Sequence, residues 1–261
     1  MKLRLILLLS WLCIVAFAQD VGNQQAVLSN ARQAYYSLQD QGLASFRCDL
    51  TPNWDAVLAD EWKSNPAGAD TALKTLNQLR FTVSVLANKT TITHNELSGE
   101  NAKMQEALSQ IYSGMQQMTE GFFDTWRLFA WDSPFPAVNS DYRLEDAGAS
   151  YRLIYKEGAA NVVTVMGKDF VIRDLAVSTP QFDSALRLAF ARTHKGAFLL
   201  NKYGAVYQTD KPEETTKLAV AMDYQVVEGF YLPQNLSLSG SYGTSPFAIQ
   251  LVFSGCQVGK K

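Results

Sequence analysis

His94 and His194 are the only imidazoles in this 261-residue chain. A nucleophile–His–acid relay or a His-rich metal centre would need one of them beside suitable partners. His94 stands near Glu96, but one such pair is no site without further convergent groups. The chain carries no G-x-S-x-G, H-E-x-x-H or C-x-x-C pattern and no glycine-rich phosphate loop. Six of its 25 acidic residues fall in adjacent pairs: Asp60-Glu61, Glu145-Asp146 and Glu213-Glu214. Sequence neighbours rarely face each other, so none of these makes the opposed acids of a glycosidase, and a solvated surface explains them. A secreted hydrolase would require a histidine to meet a nucleophile, or two carboxylates to converge in a cleft. The residues therefore assign no catalytic side chain, no metal and no cofactor, and the expectation is a protein that is not an enzyme.

What remains is non-covalent chemistry. Between Asn101 and Trp131, Met104, Leu108, Ile111, Met115, Met118 and Phe122 recur at intervals of three and four. That spacing draws an apolar stripe down one long helix, extended by Trp126, Phe129 and Trp131. Methionine is flexible and polarizable and adapts to irregular apolar partners. Two readings stand. The stripe is a core helix packed flat on a sheet, or it walls a cavity for acyl chains. Met104, Ile111, Met115, Met118, Phe122 and Trp126 are the candidate ligand-lining residues.

Cys48 and Cys256 are the candidate disulfide. The third cysteine, Cys13, falls in the expected signal peptide; the two left lie in strand-like sequence near the ends of the mature chain, and an even pair in an oxidising compartment suggests one bond. The alternative is two separate buried thiols, which pack as small apolar groups.

The compartment follows from the first residues. Lys2 and Arg4 precede a nearly unbroken apolar run, Leu5 to Phe17, and Ala16-Phe-Ala18 supplies small residues for cleavage before Gln19. Residues 1–18 read as a signal peptide, with a retained N-terminal anchor as the alternative. The mature protein is then periplasmic or extracellular. No later run approaches about 20 apolar residues, so no transmembrane segment is expected after cleavage. Removing Lys2 and Arg4 leaves 23 − 2 = 21 basic against 25 acidic residues, a net charge of −4. Such a chain has no electrostatic handle on nucleic acid and no polybasic patch for anionic lipid. A monomer is expected.

The elements that must position these residues divide into two halves. Residues 19–131 read as helix-rich. A helix is expected over Gln24–Gln41, then a half-buried strand from Leu43 to Leu50. Thr51 is the expected cap of a short helix with Pro52 in its first turn; Trp54, Val57, Leu58 and Trp62 share its inner face. Asn65 to Gly68 reads as a loop, Ala72–Leu79 as another helix, and Phe81–Val85 with Thr90–Thr93 as a hairpin. Residues 140–258 read as strand-rich, with short β-branched segments between turn signals such as Glu157-Gly158 and Ser239-Gly240. Asp183–Arg192 fits either period, with strand preferred. Residues 19–261 thus read as one α+β domain: a curved antiparallel β-sheet with helices packed on one face.

The sequence resembles the outer-membrane lipoprotein-sorting, LolA-like proteins and their lipid-binding relatives. The likeness lies in an opening helix with Ala31, Tyr35 and Leu38, followed by Leu43-x-Ser45-Phe46 entering the first strand. It lies also in Tyr224-Gln-Val-Val-Glu-Gly-Phe-Tyr-Leu-Pro233, similar to that family's late strand pair. The resemblance implies an incomplete antiparallel barrel with helices over its concave face. It also implies an apolar cavity holding a lipid or lipoprotein acyl chain. It maps no functional residue onto this chain. Trp54–Leu79 and the long Asn101–Trp131 helix depart from the pattern as insertions that cap the cavity or fill it. The competing expectation is a structural or interaction module of the cell envelope with a filled core and no ligand.

Overall fold

A computed structural model describes residues 23–99 and 101–261. The expected signal peptide and its cleavage site lie outside the described residues.

Twelve strands form one antiparallel sheet that does not close. They are β1 (Leu43–Pro52), β2 (Phe81–Leu86), β3 (Thr90–His94), β4 (Tyr142–Asp146), β5 (Ser150–Glu157), β6 (Ala160–Gly167), β7 (Ile172–Ser178), β8 (Asp183–Arg192), β9 (Phe198–Gln208), β10 (Thr216–Val227), β11 (Phe230–Tyr242) and β12 (Ser245–Lys260). Their spatial order is β3-β2-β1-β12-β11-β10-β9-β8-β7-β6-β5-β4. From β4 to β12 the chain is a plain meander. The N-terminal strands then join its far edge through β1 against β12. The fold is therefore α+β, an incomplete barrel whose two edges are β3 and β4.

Those two edges are consecutive in sequence, and the segment joining them holds the long helix. Numbering the helices from α1 (residues 23–33), there follow α2 (Trp54–Val57), α3 (Ala59–Ser64), α4 (Pro66–Leu76) and α5 (Ala102–Ala130). At 29 residues α5 is about 44 Å long. The chain leaves one edge and must reach the other, so α5 crosses the sheet's inner face. Strand side chains alternate accordingly. In β1, Phe46, Cys48 and Leu50 are buried while Arg47, Asp49 and Thr51 face water. Asn101 caps α5, its side chain accepting from the Met104 N–H at 3.0 Å.

The disulfide is formed, tying β1 to β12 with 4.1 Å between the Cys48 and Cys256 Cα atoms. The ladder slips there, because Gly255 and Cys256 together oppose Cys48. Gly255 takes φ +58°, a conformation glycine adopts without penalty, and this bulge turns Cys256 toward its partner. The bond spans 208 residues, so it joins the two ends of the sheet's connectivity.

Several local expectations give way to tertiary demands. The first helix stops at residue 33 instead of Gln41. Residues 34–39 are recruited elsewhere. Phe198 N–H donates to the Ala34 carbonyl and Tyr36 N–H to the Phe198 carbonyl, which adds a short parallel bridge to β9. Leu38 and Gln39 N–H groups then donate to the Ala130 and Trp131 carbonyls, satisfying the C-terminal end of α5. Arg32 fastens the same corner by donating to the Phe135 and Pro136 carbonyls.

β1 also runs on through Pro52, so the cap of the next helix is Asn53 and not Thr51. That helix breaks at Leu58 into α2 and α3. Val57 ends up 44 % exposed, outside the apolar face it was expected to share. Asn65-Pro66 opens α4 instead of forming a loop, with Asn65 as cap and Pro66 at the first position. Asp183–Arg192 is a strand, and Leu186 and Leu188 are buried. The edge strand β4 was not expected at all, since its Arg143, Glu145 and Asp146 hide a single buried Leu144.

Candidate functional site

Each of the two histidines pairs with a tyrosine. His94 stacks on Tyr112 with ring centroids 3.8 Å apart, and its Nδ1 lies 3.0 Å from the Asn95 carbonyl. His194 Nδ1 sits 2.6 Å from the Tyr231 hydroxyl at the surface. Four of the six adjacent carboxylates are held in surface ion pairs. Asp60 meets Lys63, Glu145 meets Arg143 and Arg152, Asp146 meets Lys168, and Glu214 meets Lys211. Among the described residues, no three His, Cys, Asp or Glu side chains converge to hold a metal ion.

The long helix divides the inner face instead. Phe123 and Trp126 are fully buried, and Phe122 and Phe129 nearly so. Phe46 of β1 meets Phe123 and Trp126 edge-on, with centroids 5.9 and 6.0 Å away. Phe253 of β12 meets Phe123 at 5.7 Å. Trp126 Nε1 donates to the Tyr224 hydroxyl at 3.0 Å, and that hydroxyl donates onward to the Leu200 carbonyl. Burial raises the Tyr224 phenol far above its ordinary range, which keeps it neutral and able to donate. This seam rivets α5 to β1, β10 and β12.

About a quarter-turn around the helix from that seam the contact opens. A groove of about 820 Å³ lies between α5 and β9–β12. Ile111, Met115, Met118 and Phe122 form its helical wall, alternating with Gly114 and Gly121. Tyr203, Leu218, Leu238 and Ile249 form the opposite wall. Trp54 and Val57 of α2 stand at one rim, Tyr242 and Phe247 of the β11–β12 hairpin at another. The rim accounts for three of the large apolar side chains that remain in water: Val57 (44 %), Tyr242 (55 %) and Phe247 (37 %). Apolar groups left exposed around a concave apolar surface mark a ligand site more than a core.

The two glycines decide the shape. A Cβ built on Gly114 or Gly121 would meet nothing within 4 Å. Glycine inside a helix costs about 1 kcal/mol relative to alanine, and no tight contact here demands it. Their effect is to lower the helical wall by two side chains, seven residues apart. A periodicity search tuned to large apolar residues passes over them. The signal was present as glycine interrupting an otherwise apolar stripe.

Of the six candidate lining residues, four line this groove: Ile111, Met115, Met118 and Phe122. Met118 and Ile111 are half-buried, whereas Met115 and Phe122 are buried at its floor. Trp126 belongs to the packed seam and Met104 lies half-buried against the core, outside the groove. The few polar atoms inside come mainly from Gln117, Thr125, Thr216 and the tyrosines. Tyr203 is hydrogen-bonded to Thr125, and burial raises its phenol well above the usual value.

A second cleft of about 790 Å³ lies beyond the C-terminal end of α5, between the loop after it and β5–β7. Its wall mixes Leu128, Phe129 and Leu175 with Arg32, Arg127, Lys156 and Asp132. Arg32 and Arg127 are already committed, to loop carbonyls and to Asp124 respectively. Burial, with Glu157 nearby, pushes the Tyr155 phenol in this wall up to about 12. Set beside protein-family models, curated proteins and solved structures, the chain matches none.

Proposed function

We propose that the protein is an exported, non-enzymatic carrier or binder of a lipid acyl chain, held in the groove between α5 and β9–β12. The observation carrying this reading is the groove itself: an apolar volume in the size range of small-molecule sites, walled by methionine, isoleucine and glycine along one helix. Each buried methylene contributes about 0.8 kcal/mol, so a chain of modest length binds without any catalytic group. The Cys48–Cys256 bond fits an oxidising compartment, and no described helix is long and apolar enough to cross a membrane. Both are compatible with export to the periplasm or beyond. The resemblance to LolA-like proteins points to the same ligand type.

Native mass spectrometry and solvent extraction of the purified protein test the reading, together with titration by an apolar, environment-sensitive dye. Co-purified lipid, or saturable dye binding abolished by Gly121→Trp, is the expected result. A lipid-free protein that leaves the dye dark would leave the structural-module reading in its place.

A further inference from the structure

Trp131 and Ser133 line the second cleft, the one of about 790 Å³ beyond the C-terminal end of α5. Trp131 is only 3 % exposed, yet its Nε1 has no hydrogen-bond partner among the described residues, and neither has the buried Ser133 hydroxyl. Almost every buried polar group in a folded protein is bonded, so two orphans two residues apart on one cleft call for a partner. The segment that carries them is held in place. The Trp131 ring lies within 26° of parallel to Phe46, with centroids 6.4 Å apart, and its carbonyl accepts from the Gln39 N–H at 2.9 Å. Arg32 fastens the loop that follows by donating to the Phe135 and Pro136 carbonyls.

The chemistry of the wall says what kind of molecule brings that partner. An indole N–H is a donor only, so its partner is an acceptor, and a serine hydroxyl donates equally well. Around them Phe129, Val162 and Leu175 give the cleft an apolar body, and Leu128, 48 % exposed, borders it. The ionised side chains at this cleft are mixed in sign, Lys156 with Asp132 and Glu157, and select no charge. We propose that the cleft is a second ligand site, separate from the groove, for a small apolar molecule bearing a carbonyl-type oxygen that accepts from Trp131 Nε1 and Ser133 Oγ. The volume falls in the range of small-molecule sites. An oxygen seated there pairs donors that are otherwise left unmet, so affinity depends on that oxygen as well as on the apolar body.

The test uses three single-ring probes: acetophenone with a neutral acceptor, benzoate with a charged one, and ethylbenzene with none. Each is titrated into the isotope-labelled mature chain while the tryptophan indole N–H resonances are followed, that of Trp131 being identified by its loss in Trp131→Phe. Trp54 lines the groove and reports binding there. At least one oxygen-bearing probe is expected to shift the Trp131 N–H saturably and to bind about tenfold tighter than ethylbenzene, the worth of one good hydrogen bond. The tighter of acetophenone and benzoate then tells whether the oxygen is neutral or charged. Ser133→Ala and Trp131→Phe, with affinities read from the probe's own resonances, should each narrow the tenfold ratio. A shift confined to Trp54, no shift of Trp131 with any probe, ethylbenzene binding as tightly as the other two, or a ratio indifferent to both substitutions overturns the site. Each of these outcomes leaves the carrier reading standing, because the groove is read separately through Trp54.

Discussion

On one flank of α5, Phe123 and Trp126 are sealed between Phe46 and Phe253 and pinned through Tyr224. On the adjoining flank, Gly114, Met118 and Gly121 face an open volume. The same helix therefore builds a core and a groove on adjoining flanks. The difference lies in side-chain bulk. Rings fill the space where the helix must hold the sheet, and glycine with methionine leave it empty where β9–β12 stand away. An apolar stripe is thus not one functional unit. Its aromatic part fixes the helix, and its Met118 and glycine part borders the open groove.

The strongest way to break the contrast is at the packed flank. Trp126→Ala should cost about 3–5 kcal/mol, measured by chemical denaturation, because it opens a cavity and removes the donor to the Tyr224 hydroxyl, which keeps its bond to the Leu200 carbonyl. Removing the disulfide with Cys48→Ala and Cys256→Ala should cost roughly 2–5 kcal/mol, since the bond restrains a long loop in the unfolded chain. Groove binding at temperatures well below the new transition should survive that change.

Alkali should act on the seam through Tyr224 and on the sheet through three other buried phenols. Tyr35, Tyr203 and Tyr224 have phenols raised by burial, as does Tyr155, whose value is about 12. A raised acid stabilises the fold fully below the ordinary tyrosine value, and that contribution is lost as pH climbs through and beyond it. Unfolding should therefore set in above about pH 10, with tyrosinate absorbance appearing together with loss of circular dichroism.

Met118→Ala sharpens the comparison. A core methionine loses about 2–5 kcal/mol on truncation, but this half-buried one should lose under about 1 kcal/mol while dye affinity changes. Gly121→Ala has the smallest effect on stability and the opposite sign. It should raise stability by about 0.5–1 kcal/mol through helix propensity and weaken chain binding by narrowing the wall. A loss of stability at Gly121 would show the wall to be packed rather than open.

How much of this is legible in the sequence follows from the range of the forces involved. The α5 stripe, the β2–β3 hairpin and the strand content after residue 140 come from periodicities of 3.6 and 2, which each segment carries locally. The early end of α1 was not legible, because residues 34–39 leave the helix to pair with β9 and to cap α5, partners about 90 or more positions away. Edge strand β4 was hidden for a related reason. An edge strand meets one neighbour and buries little, so its apolar pattern is thin. Val57 leaves the expected apolar face because the helix breaks at Leu58.

By itself the sequence set out the candidates: two histidines, three pairs of adjacent acids, Cys48 and Cys256 in strand-like segments, and a long amphipathic helix joining two halves. Only the tertiary structure decided that this helix links the two open edges of one sheet and must cross its inner face. That path sets the angle and depth at which each turn of α5 meets the strands. It places Trp126 in the seam, Met118 at the groove and Met104 in neither. Periodicity fixes which residues share a face of a helix. How far that face stands from its partner depends on strands distant in sequence, and that distance separates a core from a cavity.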